Sequence, residues 1–288
     1  MVVGLLGFGE VGQALAGDLH RTGVEVRAWD IRFPDPASGP SRALQTLPFV
    51  TATAAATELA AGCPLVVSAV TAAEDQAATV SILPGLVPGS YVMDLNSVAP
   101  STRERCAALV TSARGRYVEA AVMSPIHPRG AASPVLLGGP DAADFLPLAR
   151  SIGFTGSSVC SSSIGIASAT KMCRSVIVKG IEALFTESML TARHYGVEDA
   201  VLDSLRDLWS TRDPRDLAKY MIERSIEHGE RRAEEMREVA VTVRDAGVDA
   251  WMSLASVQRQ AWAAGFPSAL HHPDLPSMLD SIRSETRC

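Results

Sequence analysis

The sequence predicts an α/β fold: a doubly wound parallel sheet over residues 1–160, then an all-α domain over residues 161–288. Three observations predict it. Short β-rich runs alternate with Ala- and Leu-rich runs up to about residue 160, the pattern of strand–helix–strand units. After about Ser161 strand patterns stop, and long helical patterns run almost to the end. A G-x-G-x-x-G motif, Gly7, Gly9 and Gly12, stands between the first apolar run and the first helical run.

The predicted strands are Val2–Leu6, Val24–Trp29, Pro48–Ala52, Leu65–Ala69, Tyr91–Leu95, Tyr117–Val122 and Val135–Gly138. Helices are expected between them at Val11–Arg21, Ala54–Ala61, Ala73–Leu83, Ser101–Ser112 and Asp141–Ser151. Pro84-Gly85 and Pro88-Gly89 punctuate the turn into the fifth strand, and Phe33–Pro40 reads as a loop. Ser157–Ser163 is the expected domain junction. The tail after Pro267 is expected to be irregular or short-helical.

Composition narrows the function classes. Hydrophobic residues are 47% and charged residues 20%, as in a globular protein with a sizeable core. The net charge of −6 gives no basic field for nucleic acid or an anionic membrane, and no apolar run reaches the ~20 residues of a membrane span. The first residues read as a strand rather than a secretory signal, so a cytoplasmic location is expected. Five widely spaced cysteines contain no C-x-x-C pair, so neither a zinc site nor a disulfide framework is indicated. Cys63, Cys106 and Cys173 read as small core residues. His271-His272 lacks further ligands, and no metal site is expected.

The glycine motif has the surroundings of a dinucleotide fingerprint. A strand precedes it, a helix follows, and the second strand ends in Asp30. Gly7 permits the tight turn, Gly9 lets the backbone approach a pyrophosphate, and Gly12 allows close helix–strand packing. The motif and its surroundings predict a Rossmann-type NAD(P)-binding domain. Asp30 suits an adenosine ribose 2′-OH and repels a 2′-phosphate, which favours NAD; Arg32 nearby could accommodate the phosphate of NADP. Candidate cofactor contacts are Gly7, Phe8, Gly9, Glu10, Val11, Gly12, Asp30, Ile31, Arg32, Val70, Thr71, Asn96 and His228.

The second informative stretch is "SSIGIASATKMCRSVIVKGIEALFTESMLTARHYG". At about 100° per residue, Ala169, Cys173, Val176, Gly180 and Leu184 share an apolar face expected to be buried. Lys171 points away from it, and Ser175, Lys179 and Glu182 continue its polar stripe. Downstream, "RSIEHGERRAEEMREVAVTVRDAG" reads as a helix with i, i+4 ion pairs. Trp209, Trp251 and Trp262 read as core or dimer-interface residues.

"GIASATKMCRS" resembles the G-x-x-x-x-x-K-x-x-x-N signature of the β-hydroxyacid dehydrogenases, the family of 3-hydroxyisobutyrate and 6-phosphogluconate dehydrogenases. "MDLNSVAP" (93–100), "VEAAVMSP" (118–125) and "PVLLGGP" (134–140) resemble its later segments, in order, over about residues 1–190. The later helices look closer to an uncharacterised branch with a 6-phosphogluconate-dehydrogenase-like C-terminal domain. The resemblance implies an NAD(P)-dependent dehydrogenase of a small 3-hydroxyacid, with Lys171 as general acid/base and a homodimer built through the helical domain. It implies that Ser97, Ser124 and Ser175 orient substrate oxygens and that His127 and Arg129 hold a carboxylate. Arg174 and Lys179 would complete the substrate site and supply positive charge near Lys171.

The chain departs from the family at three places. Met123-Ser124-Pro125 stands where the family has S-G-G, Ser175 replaces the helix asparagine, and His228 falls near a later cofactor-contacting lysine. Three other readings compete: an imine reductase or reductive aminase on the same fold, which generally lacks the lysine; an oxidative decarboxylase of the 6-phosphogluconate type; and a non-catalytic dinucleotide-binding scaffold.

Overall fold

The computed structural model describes residues 1–205 and 213–286. Trp209 and Cys288 lie outside the described residues, as does the side chain of Glu182. The chain forms two compact units, residues 1–176 and 177–288.

The first unit is built on eight strands: β1 (Val2–Leu6), β2 (Glu25–Trp29), β3 (Val50–Ala52), β4 (Leu65–Ser68), β5 (Tyr91–Asp94), β6 (Arg116–Val122), β7 (Val135–Gly138) and β8 (Ser157–Ser161). Their order is β3-β2-β1-β4-β5-β6-β7-β8. β1 to β6 are parallel, β7 pairs antiparallel to β6, and β8 pairs parallel to β7. The wholly parallel sheet of the sequence reading therefore reverses at β7. The expected junction at Ser157–Ser163 contains β8, an edge strand. Its sequence SSVCS shows no apolar alternation because most of it is exposed.

Alternate strand residues feed opposite faces of the sheet. Val3 and Leu5, Leu65 and Val67, and Val118 and Ala120 pack with α1 (Glu10–Arg21) and α6 (Ala142–Ser151) through Leu15, Leu19 and Phe145. Leu6, Val66 and Val92 pack on the other face. Their partners are Leu59 of α3 (Ala56–Ala61), Ile82 of α4 (Asp75–Ile82) and Val110 of α5 (Pro100–Ser112). A further helix, α2 (Gly39–Thr46), begins within the expected Phe33–Pro40 loop, taking its last two residues, and is capped by the Ser38 side chain.

The second face also carries a polar cluster that the sequence reading did not anticipate. Asp94, at the end of β5, and Glu119, in the middle of β6, are register partners, and both are fully buried. Arg103 of α5, also fully buried, ion-pairs with Asp94 at 2.5 Å. It donates as well to the Asp94 carbonyl at 2.9 Å, to the Asn96 carbonyl, and to Ser168 Oγ at 3.0 Å. The Tyr117 hydroxyl donates to Asp94 Oδ2 at 2.7 Å. Glu119 accepts from the backbone N–H of Gly165 at 2.6 Å and of Ser168 at 2.5 Å, which caps the long helix α7 (Ile166–Tyr195).

Asp75 opens α4 in the same cluster. It accepts from Asn96 Nδ2 at 2.6 Å and receives the Cys106 thiol at 3.6 Å. Asp75, Asp94 and Cys106 hold their ligand atoms within 4.8 Å of one another, and these are already engaged by Arg103, Tyr117 and Asn96. Burial and the neighbouring Asp94 carboxylate push Asp75 up to about 6, against the Asn96 hydrogen bond and the Arg103 charge. Burial raises Tyr117 as well, and Asp94 adds to it.

In the second unit α7 continues, followed by α8 (Glu198–Ser204), α9 (Pro214–Glu227), α10 (Gly229–Asp245), α11 (Trp251–Ala263) and α12 (Leu275–Glu285). The side chains of Asp213 and Asp274 cap α9 and α12. Glu187 of α7 caps α11 by accepting from Met252 N at 2.8 Å and Ser253 N at 3.0 Å. Ile226, Phe266, Ala269, Met278 and Ile282 form a small core. The single helix expected across Arg224–Gly247 breaks at His228, and the tail holds a helix of 11 residues. No helix among the described residues is long and apolar enough to cross a membrane.

The expected apolar face of α7 is corrected. Val176 is 75% exposed, Leu184 45%, and Cys173 is exposed. Of the expected core cysteines, Cys63 and Cys106 are buried. Trp251 and Trp262 are exposed, so neither is a core residue of the single chain.

The Asp75 proton has a measurable consequence. The folded chain holds it up to about pH 6, whereas an unfolded aspartate releases it near 3.8. Between those values the native state binds more protons, so this group's contribution to stability falls as pH rises through the window. Asp75→Asn keeps an acceptor for Asn96 and removes the titration. Denaturant unfolding at pH 4.5 and 7.5 should show the variant gaining about 1–2 kcal/mol on the wild type over that interval.

Candidate dinucleotide and proton-transfer site

The glycine turn follows β1 directly. Gly7 has φ +94°, and a Cβ there would lie 2.5 Å from the Ala69 carbonyl oxygen. A Cβ on Gly12 would lie 2.3 Å from the Gly7 carbonyl oxygen, so only glycine allows α1 to start this close to the turn. Gly9 faces open space and is the N-cap of α1 without any side-chain cap, with Glu10 and Val11 opening the helix. The first amides of α1 are thus left for an anion.

Asp30 follows β2. Its carboxylate accepts from Phe8 N at 2.7 Å and Arg32 N at 2.9 Å, which ties the end of β2 to the glycine turn. Beside it lies a cavity of about 380 Å³ lined by Trp29, Asp30, Ile31, Phe33, Pro34, Thr53 and Ala54. Arg32, whose N–H binds the Asp30 carboxylate, is exposed. A tight turn, an open helix N-terminus and a carboxylate beside a cavity are what a dinucleotide requires, so these residues fit NAD(P). Phe33, Thr53 and Ala54 were not among the expected contacts. Phe33 lies on the loop just after Asp30, whereas Thr53 and Ala54 line the cavity because β3 pairs with β2.

The loop after β4 carries Val70 and Thr71. Asn96 Oδ1 accepts from Val70 N at 2.7 Å, while its Nδ2 donates to Ser68 and Asp75. The Asn96 amide therefore holds the loop in place rather than projecting freely. Ser97 follows it. Lys171 Nζ, on the second turn of α7, donates to Ser97 Oγ at 2.7 Å. The Ala69 N–H donates to the carbonyl of Leu6, the residue before Gly7, at 2.8 Å, the next residue Val70 donates to Asn96, and Ser97 beside Asn96 accepts from Lys171.

The remaining expected residues spread more widely. The segment after β6 is pinned to α1, since Asp18 Oδ2 accepts from Ala131 N at 2.6 Å. His127 on this segment lies with Nε2 3.8 Å from Glu10 Oε1, beside the glycine turn. Ser124 donates to the Pro125 carbonyl at 3.1 Å, and Arg129 is exposed. On α7, Ser175 is half-buried and Arg174 exposed. Lys179 and His228 belong to the second unit, where His228 lines a cavity of about 560 Å³ with Arg231, Ala264 and Leu270.

Residues 2–144 match the family model described as the NAD binding domain of 6-phosphogluconate dehydrogenase. Residues 192–263 match a domain of unknown function, DUF1932. No curated protein matches the sequence. Among solved structures, a conserved hypothetical protein from Sinorhizobium meliloti 1021 is 32% identical, with 99% of this chain and 96% of that chain covered and a TM-score of 0.60. The conserved protein MTH1747, described as structurally similar to 3-hydroxyacid dehydrogenases, is 29% identical over 92% of this chain and 98% of its own, with a TM-score of 0.60. An imine reductase from Streptomyces aurantiacus shares the fold at 19% identity, with 99% of each chain covered and a TM-score of 0.72. The chain belongs to the β-hydroxyacid dehydrogenase family, in the branch that joins a 6-phosphogluconate-dehydrogenase-type NAD-binding domain to a C-terminal domain of unknown function.

Proposed function

We propose that the protein is a cytoplasmic NAD(P)-dependent oxidoreductase that interconverts a small 3-hydroxyacid, or a related alcohol, and its oxo form. The observation that carries this reading is the 2.7 Å hydrogen bond between Lys171 Nζ and Ser97 Oγ, linked through Asn96 and Val70 to the glycine turn. A bound nicotinamide dinucleotide supplies the hydride acceptor or donor. Lys171 takes the substrate hydroxyl proton on Nζ in oxidation and returns it in reduction. Ser97 orients the Lys171 side chain. Ser124 and Ser175 offer hydroxyls to substrate oxygens, and His127 and Arg129 offer cations to a carboxylate. Arg174 and Lys179 add positive charge along α7, and His228 is a further candidate cofactor contact. Only three of the 26 basic residues are lysines, Lys171, Lys179 and Lys219, and two of them stand on this helix.

We place the domain boundary near Ser161, where the composition changes. We assign a homodimer to the exposed apolar residues of α7 and a preference for NAD to Asp30.

Four measurements test these readings. A panel of small 3-hydroxyacids, followed by NAD⁺ or NADP⁺ reduction, should reveal turnover. Lys171→Ala should lower kcat by about 10²–10⁴-fold, leaving NADH affinity and the melting temperature near wild type. Wild-type turnover by that variant would overturn the proton-transfer role, and reduction of cyclic imines without oxidation of any hydroxyacid would overturn the substrate class.

Calorimetry should give NADH a dissociation constant about tenfold below that of NADPH. The reverse preference would sink the reading of Asp30 and point to Arg32.

Light scattering should give twice the 30.4 kDa chain mass. Replacing both Val176 and Ile177, 75% and 65% exposed, by Glu should shift the protein to monomer. A wild-type monomer at micromolar concentration would overturn the dimer.

A further inference from the structure

The Lys171–Ser97 contact joins two separate pieces of chain, the segment after β5 and the second turn of α7. Neither piece is held by the sheet ladder at that point. Both are held by Arg103. Its guanidinium donates to the carbonyl of Asn96, the residue before Ser97. Through Nε it donates to Ser168 Oγ at 3.0 Å, three residues before Lys171 on the helix. Asp94 fixes the guanidinium itself, with a 2.5 Å ion pair to its carboxylate and a 2.9 Å hydrogen bond to its carbonyl. Glu119 grips the same helix turn from the other side, through the N–H groups of Gly165 and Ser168. Arg103, Asp94 and Glu119 are each fully buried, and Ser168 is 2% exposed, so the arrangement is dry and held from several directions.

We infer that Arg103, acting through Ser168, is a positioning residue that sets the placement of Lys171 against Ser97. The inference rests on the reading of Lys171 as the proton-transfer group. The Arg103 guanidinium bonds to Asp94, Tyr117, Asn96 and Ser168. It fixes one backbone carbonyl beside the serine and one hydroxyl below the lysine. Only the planar fork of arginine reaches both while holding a carboxylate; lysine offers a single point of charge. A displacement of about 1 Å at a reacting group can cost on the order of 10²-fold in rate, so a rigid clamp here bears on turnover.

The test uses the full-length protein, the variants Ser168→Ala, Ser168→Thr and Arg103→Lys, and a readout that needs no substrate. Selective ¹⁵N labelling of the three lysines gives one side-chain signal each, and Lys171→Ala assigns that of Lys171. In Ser168→Ala and Arg103→Lys the Lys171 signal should move while that of Lys219 stays, and Ser168→Thr, which keeps the hydroxyl, should restore it. On a hydroxyacid that the wild type turns over, Ser168→Ala should lower kcat by about 10-fold with the NADH dissociation constant unchanged. A Lys171 signal that ignores both substitutions overturns the clamp, as does a moved signal with undiminished kcat. Arg103→Lys removes a buried guanidinium and risks misfolding; Ser168→Ala keeps the Arg103–Asp94 pair and decides the question alone. Wild-type turnover by Lys171→Ala overturns the catalytic reading instead, a failure distinct from that of the clamp.

Discussion

Two carboxylates, Asp94 and Glu119, face each other across the β5–β6 pairing with no exposure to solvent. Buried carboxylates persist only when neutralised and hydrogen-bonded, and removing one partner of such a pair typically costs about 3–5 kcal/mol. Here the two are neutralised by different means. Asp94 has the Arg103 guanidinium and the Tyr117 hydroxyl. Glu119 has the first amides of α7 and the positive end of that helix. Because each charge needs its partner in one place, α5 and the start of α7 are located by electrostatics as much as by packing.

That constraint explains why polar side chains, rather than apolar ones, connect the cofactor loop to the lysine helix. Asn96 shows the pattern most clearly. Its backbone N–H is taken by Asp94, its carbonyl by Arg103, and its amide by Val70, Ser68 and Asp75. No group is left to drift, so the adjacent Ser97 inherits a fixed backbone. The second unit repeats the device used by Glu119. Glu187 lies within α7 and caps α11, so a single long helix is capped by one buried glutamate and supplies another.

Much of this was legible in the residues. Seven strands and the five helices between them announce themselves by alternating apolar runs. The glycine motif with Asp30 marks the dinucleotide turn because turn geometry demands glycine wherever backbone meets backbone. Lys171 and Ser97 both stood out as candidate residues, though not as neighbours. What escaped was non-local. β8 is a serine-rich edge strand with no apolar signature, and the reversal at β7 leaves no mark in composition. Arg103 lies in "STRERC", where it is indistinguishable from a charge on a wet helix face. Glu119 did offer a signal, a lone carboxylate inside the apolar run "YVEAAV", and a buried charge there implies a partner. The break at His228 and the exposure of Val176 on α7 were equally hidden, since periodicity reports an apolar face without saying what covers it.

The sequence by itself determined the class of fold, the dinucleotide turn and the candidate lysine, because each rests on interactions between residues close in the chain or on a backbone geometry that one residue type allows. The tertiary structure alone decided which residues meet around the candidate lysine. Arg103 and Ser168 are 65 positions apart, Lys171 and Ser97 are 74, and Glu119 meets its helix 46 and 49 positions away. Hydrogen bonds over such separations depend on strand order and helix placement, and a string of residues carries neither.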